Sequence, residues 1–505
     1  MLKPLPAEKW NEAAAAHLFN RAGFGGTPNE IRALAAKTPD EAVSFFVDFE
    51  KIPEADARPD WAHPDPVRKE RIRQLQQMTR EVKNSPQSEE QKKAALQKLR
   101  EAQQQIQREQ NQHMQQIRGE WLQRMAVGPR PFQEKLTLFW HGHFATSAVK
   151  VREAYFMWLQ IETFRRMGTG PWIDLIEAVA QDPAMLIWLD QAESRKEHPN
   201  ENFARESMEL FVLGEGHYTE KDVTEAARAM TGWSLDRIED QYRYRPALHD
   251  TGFKTVLGRT GPLTGRQVLE VMVAQPQAAR FITTKLWKFF ASDDPSPELI
   301  DDLADTFREH GQIFKPFLRA VFRSEAFYAD SVMRNQIKSP VQWLAGSIRL
   351  LQRPPPPPIV MIEMTRNLGQ ELLAPPNVKG WDGGLSWITT NTLLDRYNQA
   401  GILVEGQGNL GAHGQRPAQK LAASIANAAA RDMAPMDVNK IVADWERHDP
   451  ATLISALKNR FVPGQLSEEH RDALDGYLAA RADLTDQDIR HVIRLLMSTP
   501  EYQIA

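Results

Sequence analysis

Apolar residues recur at helical spacing along most of this chain, and runs that alternate apolar with polar residues are almost absent. Steps of three, four, seven and eight residues place apolar side chains on one face of an α-helix, whereas a half-buried strand needs strict alternation. We therefore predict a mainly α protein, a large orthogonal bundle of many helices. The one expected exception is a small β-hairpin within residues 242–255.

A charged region is predicted to project from the helical body. Residues 67–125 are rich in Gln, Glu, Lys and Arg. Their narrow apolar stripe consists of Leu96, Leu99, Ile106, Met114, Ile117 and Trp121. The break NSPQSEEQ divides the region, because Pro86 disfavours helix before it and Ser88 with Gln91 matches a capping box. We predict a helical hairpin, either a solvated charged surface or a coiled coil that docks a partner.

The remaining residues are divided by composition. Residues 1–66 and 126–400 are predicted to form the main helical body, in two domains at most. Residues 401–505 are predicted to form a flexible loop and a helical tail packed on that body, because 401–432 are rich in Gly, Asn and Ala. The run RPPPPPI at 353–359 cannot continue either neighbouring helix, so it is expected to be a stiff connector.

Charge and composition narrow the classes of function. The chain has 62 Lys and Arg against 66 Asp and Glu, a net charge of -4, so no nucleic-acid partner is expected. The absence of cysteine excludes disulfides, thiolate nucleophiles and sulfur-ligated zinc. No run reaches the ~18 to 20 apolar residues of a membrane span, and the first residues lack a secretory signal core. We expect a soluble protein, cytoplasmic by default, without membrane insertion and without a nucleotide cofactor.

Two histidines separated by one glycine form the first candidate site. His141 and His143 lie in LTLFWHGHFATS, behind a dense apolar run. Side chains two residues apart diverge on a helix, but Gly142 predicts that the helix ends there and that both rings turn toward one point. A metal site, a proton-transfer pair and a well-packed helix end all remain open for this motif.

Carboxylates at helical spacing form the second candidate. In PNENFARESMEL, Asn202, Glu206 and Glu209 share one stripe, and stacked carboxylates repel unless a positive group lies between them. A metal ion, a protonated histidine, Arg228 or Arg205 would supply that charge.

Loop segments supply the remaining candidates. LHDTGFKTVLG carries His249 and Asp250 in a nonhelical context, where sites are commonly built. The turn-rich segments HLFNRAGFGG and APPNVKGWDGGLSW hold Arg21, Trp381 and Trp387. Tryptophans beside glycines either form a platform on which sugars stack or close a loop against the core.

These stretches resemble one known family. HLFNRAGFG, RPFQEKLTLFWHGHFATS, DPAMLIWLD, PNENFARESMELFVLGEGHYTEKDVTEAARAMTGW, HDTGFKTVLG, KSPVQWL, LLAPPNVKGWDGG and MSTPEY together resemble the bacterial "domain of unknown function 1800" family over nearly the whole chain. The resemblance implies a long helical bacterial protein, often exported and often encoded beside a sulfatase-like or phosphatase-like companion, which is the one partner expected. It implies no agreed catalytic residues. The chain departs from the family in its missing export signal, its charged hairpin and Phe211, where relatives tend to carry histidine.

Two hypotheses follow for the function. In the first, the chain is an enzyme with a buried His/carboxylate site that works by metal-assisted or general acid-base hydrolysis or lyase chemistry, with a surface polymer as the candidate substrate. Its catalytic residues would be Arg205, Glu206, Glu209, His249 and Asp250; its substrate-binding residues would be Arg21, Asn202, Trp381 and Trp387. Its metal ligands would be His141, His143 and Glu206, holding Zn, Mn or Fe. In the second, the chain is a non-catalytic binding or assembly protein that docks a partner on the hairpin.

Overall fold

The computed structural model confirms a mainly α protein. It describes residues 2–53, 58–63, 66–84, 88–411, 417–447, 449–464, 466–479, 481 and 484–505. Within these ranges lie 23 α-helices, one π-helical turn and two antiparallel sheets of two strands each. None of the described helices is both long and apolar enough to cross a membrane.

The elements follow one another in chain order. The first helices are α1 (Glu12–Ala22), α2 (Pro28–Ala35), α3 (Pro39–Val47), α4 (Pro66–Asn84), α5 (Glu89–Val127), α6 (Pro131–His143), α7 (Ala148–Val151), α8 (Ala154–Met167), α9 (Trp172–Ala180), α10 (Pro183–Trp188) and α11 (Glu201–Glu206). The central elements are the π-helical turn Ser207–Val212, α12 (Glu220–Ala229), β1 (Trp233–Asp236), β2 (Gln241–Tyr244), β3 (Lys254–Val256), β4 (Arg259–Gly261), α13 (Gly265–Val273), α14 (Pro276–Phe290), α15 (Pro297–Glu309) and α16 (Phe314–Arg323). The last helices are α17 (Pro340–Leu350), α18 (Pro358–Asn367), α19 (Thr390–Glu405), α20 (Pro417–Arg431), α21 (Pro450–Phe461), α22 (Glu468–Ala479) and α23 (Asp486–Ser498).

Short-range sequence signals fix many helix starts. Capping boxes, in which a Thr or Ser side chain and the side chain three residues later satisfy each other's backbone N–H groups, begin α2, α3, α5, α12 and α23. The box predicted at Ser88 and Gln91 is among them. Each such cap stabilises a helix by about 1 kcal/mol.

The charged region forms two helices, α4 and α5, as predicted. Arg71 on α4 donates to Glu109 on α5 with its Nη2 3.1 Å from Oε1, so the two helices lie side by side. The first part of α5 is mostly exposed, whereas Met114, Ile117 and Trp121 are buried in the body. One helix therefore belongs to both the hairpin and the core. Pro86 lies outside the described residues.

The predicted β-hairpin was wrong in its bounds. Two hairpins are present: β1 pairs with β2, and β3 pairs with β4. Between them, Pro246 begins a 3₁₀ turn, Pro246–Leu248, and Gly252 lies in a loop. Proline cannot donate to a strand ladder and glycine weakens one, so the two residues interrupt the expected pairing.

The predicted loop at residues 401–432 is largely helical. Helix α19 extends to Glu405, and α20 covers Pro417–Arg431. Alanine has the highest helix propensity, and the Ala-rich part of the segment is the part that folds as α20. The proline run is the connector that was predicted, since residues 353–357 are nonhelical and Pro358 begins α18.

A single hydrophobic core holds these elements together. Its buried side chains form one contiguous cluster that extends from Leu5 to Tyr502 and includes residues of α5, α6, α14, α18, α19 and α23. Helix α6 is buried along almost its whole length. It carries Glu134, Lys135, His141 and His143 into the interior, where polar groups need partners.

Candidate active site

A cleft of about 320 Å³ opens beside the C-terminal end of α6. Its walls come from α6, from α14, from residues 336–342 and from the loop at 379–387. The lining residues used below are Leu138, Phe139, Gly142, His143, Lys285, Lys288, Phe289, Gln336, Gln370, Lys379, Trp381 and Trp387. The lining also includes the carboxylates Asp293 and Asp382, so aromatic and aliphatic side chains share the cleft with many polar groups. A concave site with convergent polar groups can bind and orient a small molecule.

His143 forms part of the floor of the cleft. Its Nε2 lies 3.1 Å from the carbonyl oxygen of Phe211, and its Nδ1 lies 3.4 Å from the Nζ of Lys285. These partners assign the proton to Nε2, which donates to Phe211, and leave Nδ1 as the acceptor. Burial, with the charge of Lys285 adding to it, holds the pKa of His143 well below its ordinary value of 6.5. The imidazole is therefore neutral, and Phe139 stacks on it at 5.8 Å.

Lys285 on α14 is the cation next to this imidazole. Its Nζ donates to the carbonyl oxygen of Leu210 at 3.0 Å as well as to His143, and it lies 4.7 Å from the centre of the Phe281 ring. No carboxylate pairs with it in the part of the chain that the structure describes. Burial lowers the pKa of Lys285 from 10.5 to about 8, because an ammonium loses hydration that neutral acceptors only partly replace.

The two carbonyl groups that face His143 and Lys285 come from the π-helical turn Ser207–Val212. In this turn the N–H of Leu213 donates to the carbonyl oxygen of Met208, five residues earlier, at 2.8 Å. The wider winding presents the Leu210 and Phe211 carbonyl groups to the cleft side chains. Such turns occur frequently at functional sites.

The tryptophan loop closes another wall. Trp381 is half-buried and Trp387 is buried, and both line the cleft. Gly380 has φ +85°, and a Cβ atom there would lie 2.4 Å from the carbonyl oxygen of Gly142. Only glycine fits this conformation and this approach without strain. The loop therefore packs directly on Gly142, the α6 residue between the two histidines. The expected substrate residues Trp381 and Trp387 line the same cleft as His143.

His141 points away from that site. Its Nε2 accepts from the backbone N–H of Leu373 at 3.1 Å, and its ring packs against Trp121 at 5.4 Å and Trp381 at 5.6 Å. Burial and the charge of Arg118 lower its pKa to about 3. The expectation that the helix ends at Gly142 was wrong, because α6 continues through His143. Two residues on a helix diverge by about 200°, so the rings face different surroundings.

Glu206 and Glu209 do lie within electrostatic reach of each other. Burial, with the charge of Glu209 adding to it, raises the pKa of Glu206, while Lys379 and Arg205 oppose the shift. Glu209 accepts from the Tyr218 hydroxyl at 3.0 Å. Neither carboxylate lines the cleft, although Lys379 connects the two regions electrostatically.

The predicted metal ligands are not brought together. No group of three or more His, Asp and Glu side chains within the described ranges is arranged to hold a metal ion. The Nε2 atoms of His141 and His143 are engaged with Leu373 and Phe211. A divalent metal therefore stays a prediction, without a ligand set from His141, His143 and Glu206.

Other predicted site residues lie on the surface or in a separate network. Arg205 donates to both carboxylate oxygens of Glu220 at 2.7 Å. Asn202 is exposed on α11. Asn200 caps α11, and Glu201 and Asn202 in its first turn are both exposed.

His249 and Asp250 form a structural network with α12. His249 contacts the carbonyl oxygen of Thr231 through Nδ1 at 3.0 Å. Asp250 accepts from Arg228 Nε at 2.8 Å, and its own carbonyl oxygen accepts from Lys254 at 2.5 Å. These contacts tie the second β-hairpin to α12, and neither residue lines the cleft.

Arg21 supports the cleft from behind. It donates to Gln336, to Asn335 at 3.1 Å and to the carbonyl oxygen of Val332 at 3.2 Å. Burial, opposed by the charge of Asp293, lowers its pKa to about 9. Since Gln336 borders the cleft and Arg21 does not, Arg21 holds the wall and does not line the cavity.

Lys285 is the residue that sequence reasoning missed. A local signal for it is present in the sequence around TTKLWKFFA. Phe281, Lys285 and Phe289 are spaced by four residues, which places a lysine on an aromatic stripe of α14. A lysine on such a stripe is buried unless its aliphatic side chain extends far enough to place the ammonium group in solvent.

The comparison with family models decides the classification. A model described as "Protein of unknown function (DUF1800)" matches residues 17–504. The chain belongs to the DUF1800 family. Searches of curated proteins and of solved structures each find no match. Because the DUF1800 description names no activity, only the chemistry of the cleft informs on the function.

Proposed function

We propose that this DUF1800 protein is an enzyme whose reacting group is the amine of Lys285, working in the cleft by general acid-base chemistry of the lyase or hydrolase type. One observation carries the proposal. The Lys285 Nζ borders the cleft, is held by His143 Nδ1 and the Leu210 carbonyl, and has no carboxylate partner in the described part of the chain.

An unpaired buried ammonium destabilises a fold and is commonly found where it has a chemical role. With a pKa of about 8, Lys285 is roughly one-tenth neutral at pH 7 and half neutral at pH 8. An acid-base group is most effective when its pKa is near the working pH. The amine can thus accept or donate a proton under ordinary conditions, which an exposed lysine does poorly.

His143 acts in this proposal as a positioning residue. Its neutral ring accepts one N–H of Lys285, and its other nitrogen is anchored to Phe211. The anchoring fixes the tautomer and the orientation of the ring. The lysine head group is thereby held at one place in the cleft.

Trp381 supports a substrate that has a flat apolar face, such as a sugar ring of a surface polymer. Its half-buried ring lines the same cleft as Lys285. A surface polymer therefore stays the proposed substrate. The proposed acid-base group is now the Lys285 amine, in place of a carboxylate.

Competitive amine labelling tests the proposal. The folded protein is treated briefly with acetic anhydride between about pH 6 and pH 11, and modification of Lys285 and Lys288 is followed by peptide mass spectrometry. Lys288 lies on the same helix, borders the same cleft and is exposed, so it is the matched control. We expect half-maximal reactivity of Lys285 near pH 8. A Lys285 midpoint at or above about pH 10, as in an ordinary lysine, would refute the proposal.

A His143→Phe variant separates positioning from packing. Phenylalanine preserves the ring but removes the Nδ1 acceptor that stabilises the ammonium, so the labelling midpoint of Lys285 is expected to fall further. A purely structural role of His143 would leave the midpoint unchanged in a folded variant.

The non-catalytic alternative rests on the exposed part of α5. Under that alternative a variant without the outer hairpin loses a binding partner.

A further inference from the structure

We infer that the substrate carries an aldehyde or ketone group and that Lys285 forms an imine with it. This inference rests on the proposed function, because it assigns a covalent step to the same amine. It names the class of substrate, which the acid-base proposal leaves open. Lysines desolvated in apolar pockets are the amines that form such adducts.

The hydrogen-bond geometry around Lys285 favours a nucleophile. A neutral amine has two N–H groups and one lone pair, whereas the ammonium has three N–H groups. Exactly two acceptors contact Nζ within the described residues, His143 Nδ1 at 3.4 Å and the Leu210 carbonyl oxygen at 3.0 Å. Both N–H groups of the neutral amine are therefore satisfied, and the lone pair remains free on a residue that borders the cleft.

The surroundings of the amine also fit a covalent step. Leu138, Phe139 and Phe289 supply apolar walls, and the Phe281 ring lies 4.7 Å from Nζ. An aromatic face stabilises a cation, including the iminium ion that a protonated imine would form.

Gln370 provides a donor for the carbonyl oxygen. It is buried and borders the cleft. Its Oε1 accepts from the backbone N–H of Val341 at 3.0 Å, which fixes the amide orientation. Its Nε2 makes no hydrogen bond to the described part of the chain. The amide N–H groups can therefore polarise a substrate carbonyl.

The step balances without an added redox reagent. The Lys285 nitrogen lone pair attacks the carbonyl carbon, and the carbonyl π electrons move to oxygen, which takes up a proton. The resulting carbinolamine loses its hydroxyl group with a further proton as water. Nitrogen gives up its two hydrogens over the two stages, so amine and carbonyl compound yield imine and one water.

Reductive trapping tests this inference on the full-length protein. The probes are glyoxylate, glyceraldehyde and benzaldehyde, each added with sodium cyanoborohydride near pH 8, and the modified lysines are located by peptide mass spectrometry. We expect the reduced adduct at Lys285 to exceed that at Lys288 by about tenfold or more with at least one probe, because the Lys285 amine is held in a fixed position at the cleft by His143 and the Leu210 carbonyl. Lys285→Met should remove the adduct, whereas Lys221→Met, at an exposed position on α12 outside the cleft, should leave Lys285 trapping unchanged.

A Gln370→Leu variant tests the donor. Loss of the amide is expected to slow trapping at Lys285 severalfold without shifting the pH midpoint of acetic anhydride labelling, since that reagent needs only the neutral amine. Circular dichroism of the Lys285→Met and Gln370→Leu variants checks that they fold.

Two failures have different meanings. If acetic anhydride labelling gives a Lys285 midpoint near pH 8 but no probe is trapped above the Lys288 level, the imine inference is overturned and the acid-base proposal stands. If the Lys285 midpoint lies at or above about pH 10, as in an ordinary lysine, both are overturned.

Discussion

At the scale of single residues, Lys285 is enclosed by groups that accept its N–H groups but carry no negative charge. The contrast with Arg165 is informative. Arg165 is also buried, but it donates to both oxygens of Glu134, at 3.0 to 3.2 Å, and the surrounding carboxylates raise its pKa. Lys135 and Lys338 resemble Lys285 more closely, because burial lowers the pKa of both. Lys135 donates to the carbonyl oxygen of Gly23, and Lys338 donates to that of Tyr502. Lys285 differs from both in that it borders the cleft.

Replacement of Lys285 by Met should raise stability below pH 8. The folded-state pKa of about 8 lies below the ordinary 10.5, so below pH 8 the folded state carries the full cost of a buried ammonium. Between pH 8 and 10.5 the unfolded chain binds more protons than the folded chain, and wild-type stability rises with pH. We expect Lys285→Met to be more stable by roughly 1–3 kcal/mol at pH 7, with the difference vanishing near pH 10.5. Urea unfolding at several pH values measures it; a constant difference would contradict the assignment.

Gly142 offers a way to fill the cleft without disturbing the fold. A Cβ atom there meets nothing within 4 Å, and the residue borders the cavity. Gly142→Leu should slow labelling of Lys285 at least severalfold while stability stays equal or rises by about 1 kcal/mol, because glycine inside a helix is unfavourable. Gly476→Leu in α22 is the control, since its Cβ also meets nothing. Equal labelling of Lys285 in both variants would place the amine outside this cleft.

At the scale of elements, the cleft depends on the contact between α6 and the tryptophan loop. Gly380→Ala would place a methyl group on the Gly142 carbonyl, whereas Gly383, at φ +78°, has open space around its Cβ. Both substitutions strain the backbone, but only the first has a steric conflict. We expect Gly380→Ala to lower stability by about 1–3 kcal/mol more than Gly383→Ala and to raise the access of Trp387 to acrylamide quenching. Similar effects of both would mean that the loop does not pack on α6.

The elements also show how far the sequence allows prediction. Caps such as Ser88 with Gln91 and Thr485 with Asp488 act within one turn, so they could be recognised locally, and both are present. The divergence of His141 and His143 depends on whether α6 passes through Gly142, which the surrounding packing decides. Lys285 acquires its partners from residues 75 and 142 positions away. No local pattern specifies contacts at that separation.

At the scale of the whole molecule, the body does not depend on the outer hairpin. The core includes α5 from Met114 onward, while most side chains earlier in α5 are exposed. Replacing residues 72–108 by a short Gly/Ser loop retains the Arg71–Glu109 pair at the base. We expect the shortened chain to keep its helical circular dichroism signal per residue, a Tm within about 5 °C of the parent, and the Lys285 labelling midpoint. A chain that fails to fold would show that the hairpin is part of the core.

The charge state of one nitrogen tests the central claim most directly. In protein labelled with ¹⁵N at lysine Nζ, the Lys285 resonance can be identified by its loss in Lys285→Arg, and its chemical shift followed as the pH is raised. The account predicts a Lys285 titration midpoint near pH 8. A Lys285 midpoint at or above about pH 10, as in an ordinary exposed lysine, would contradict it.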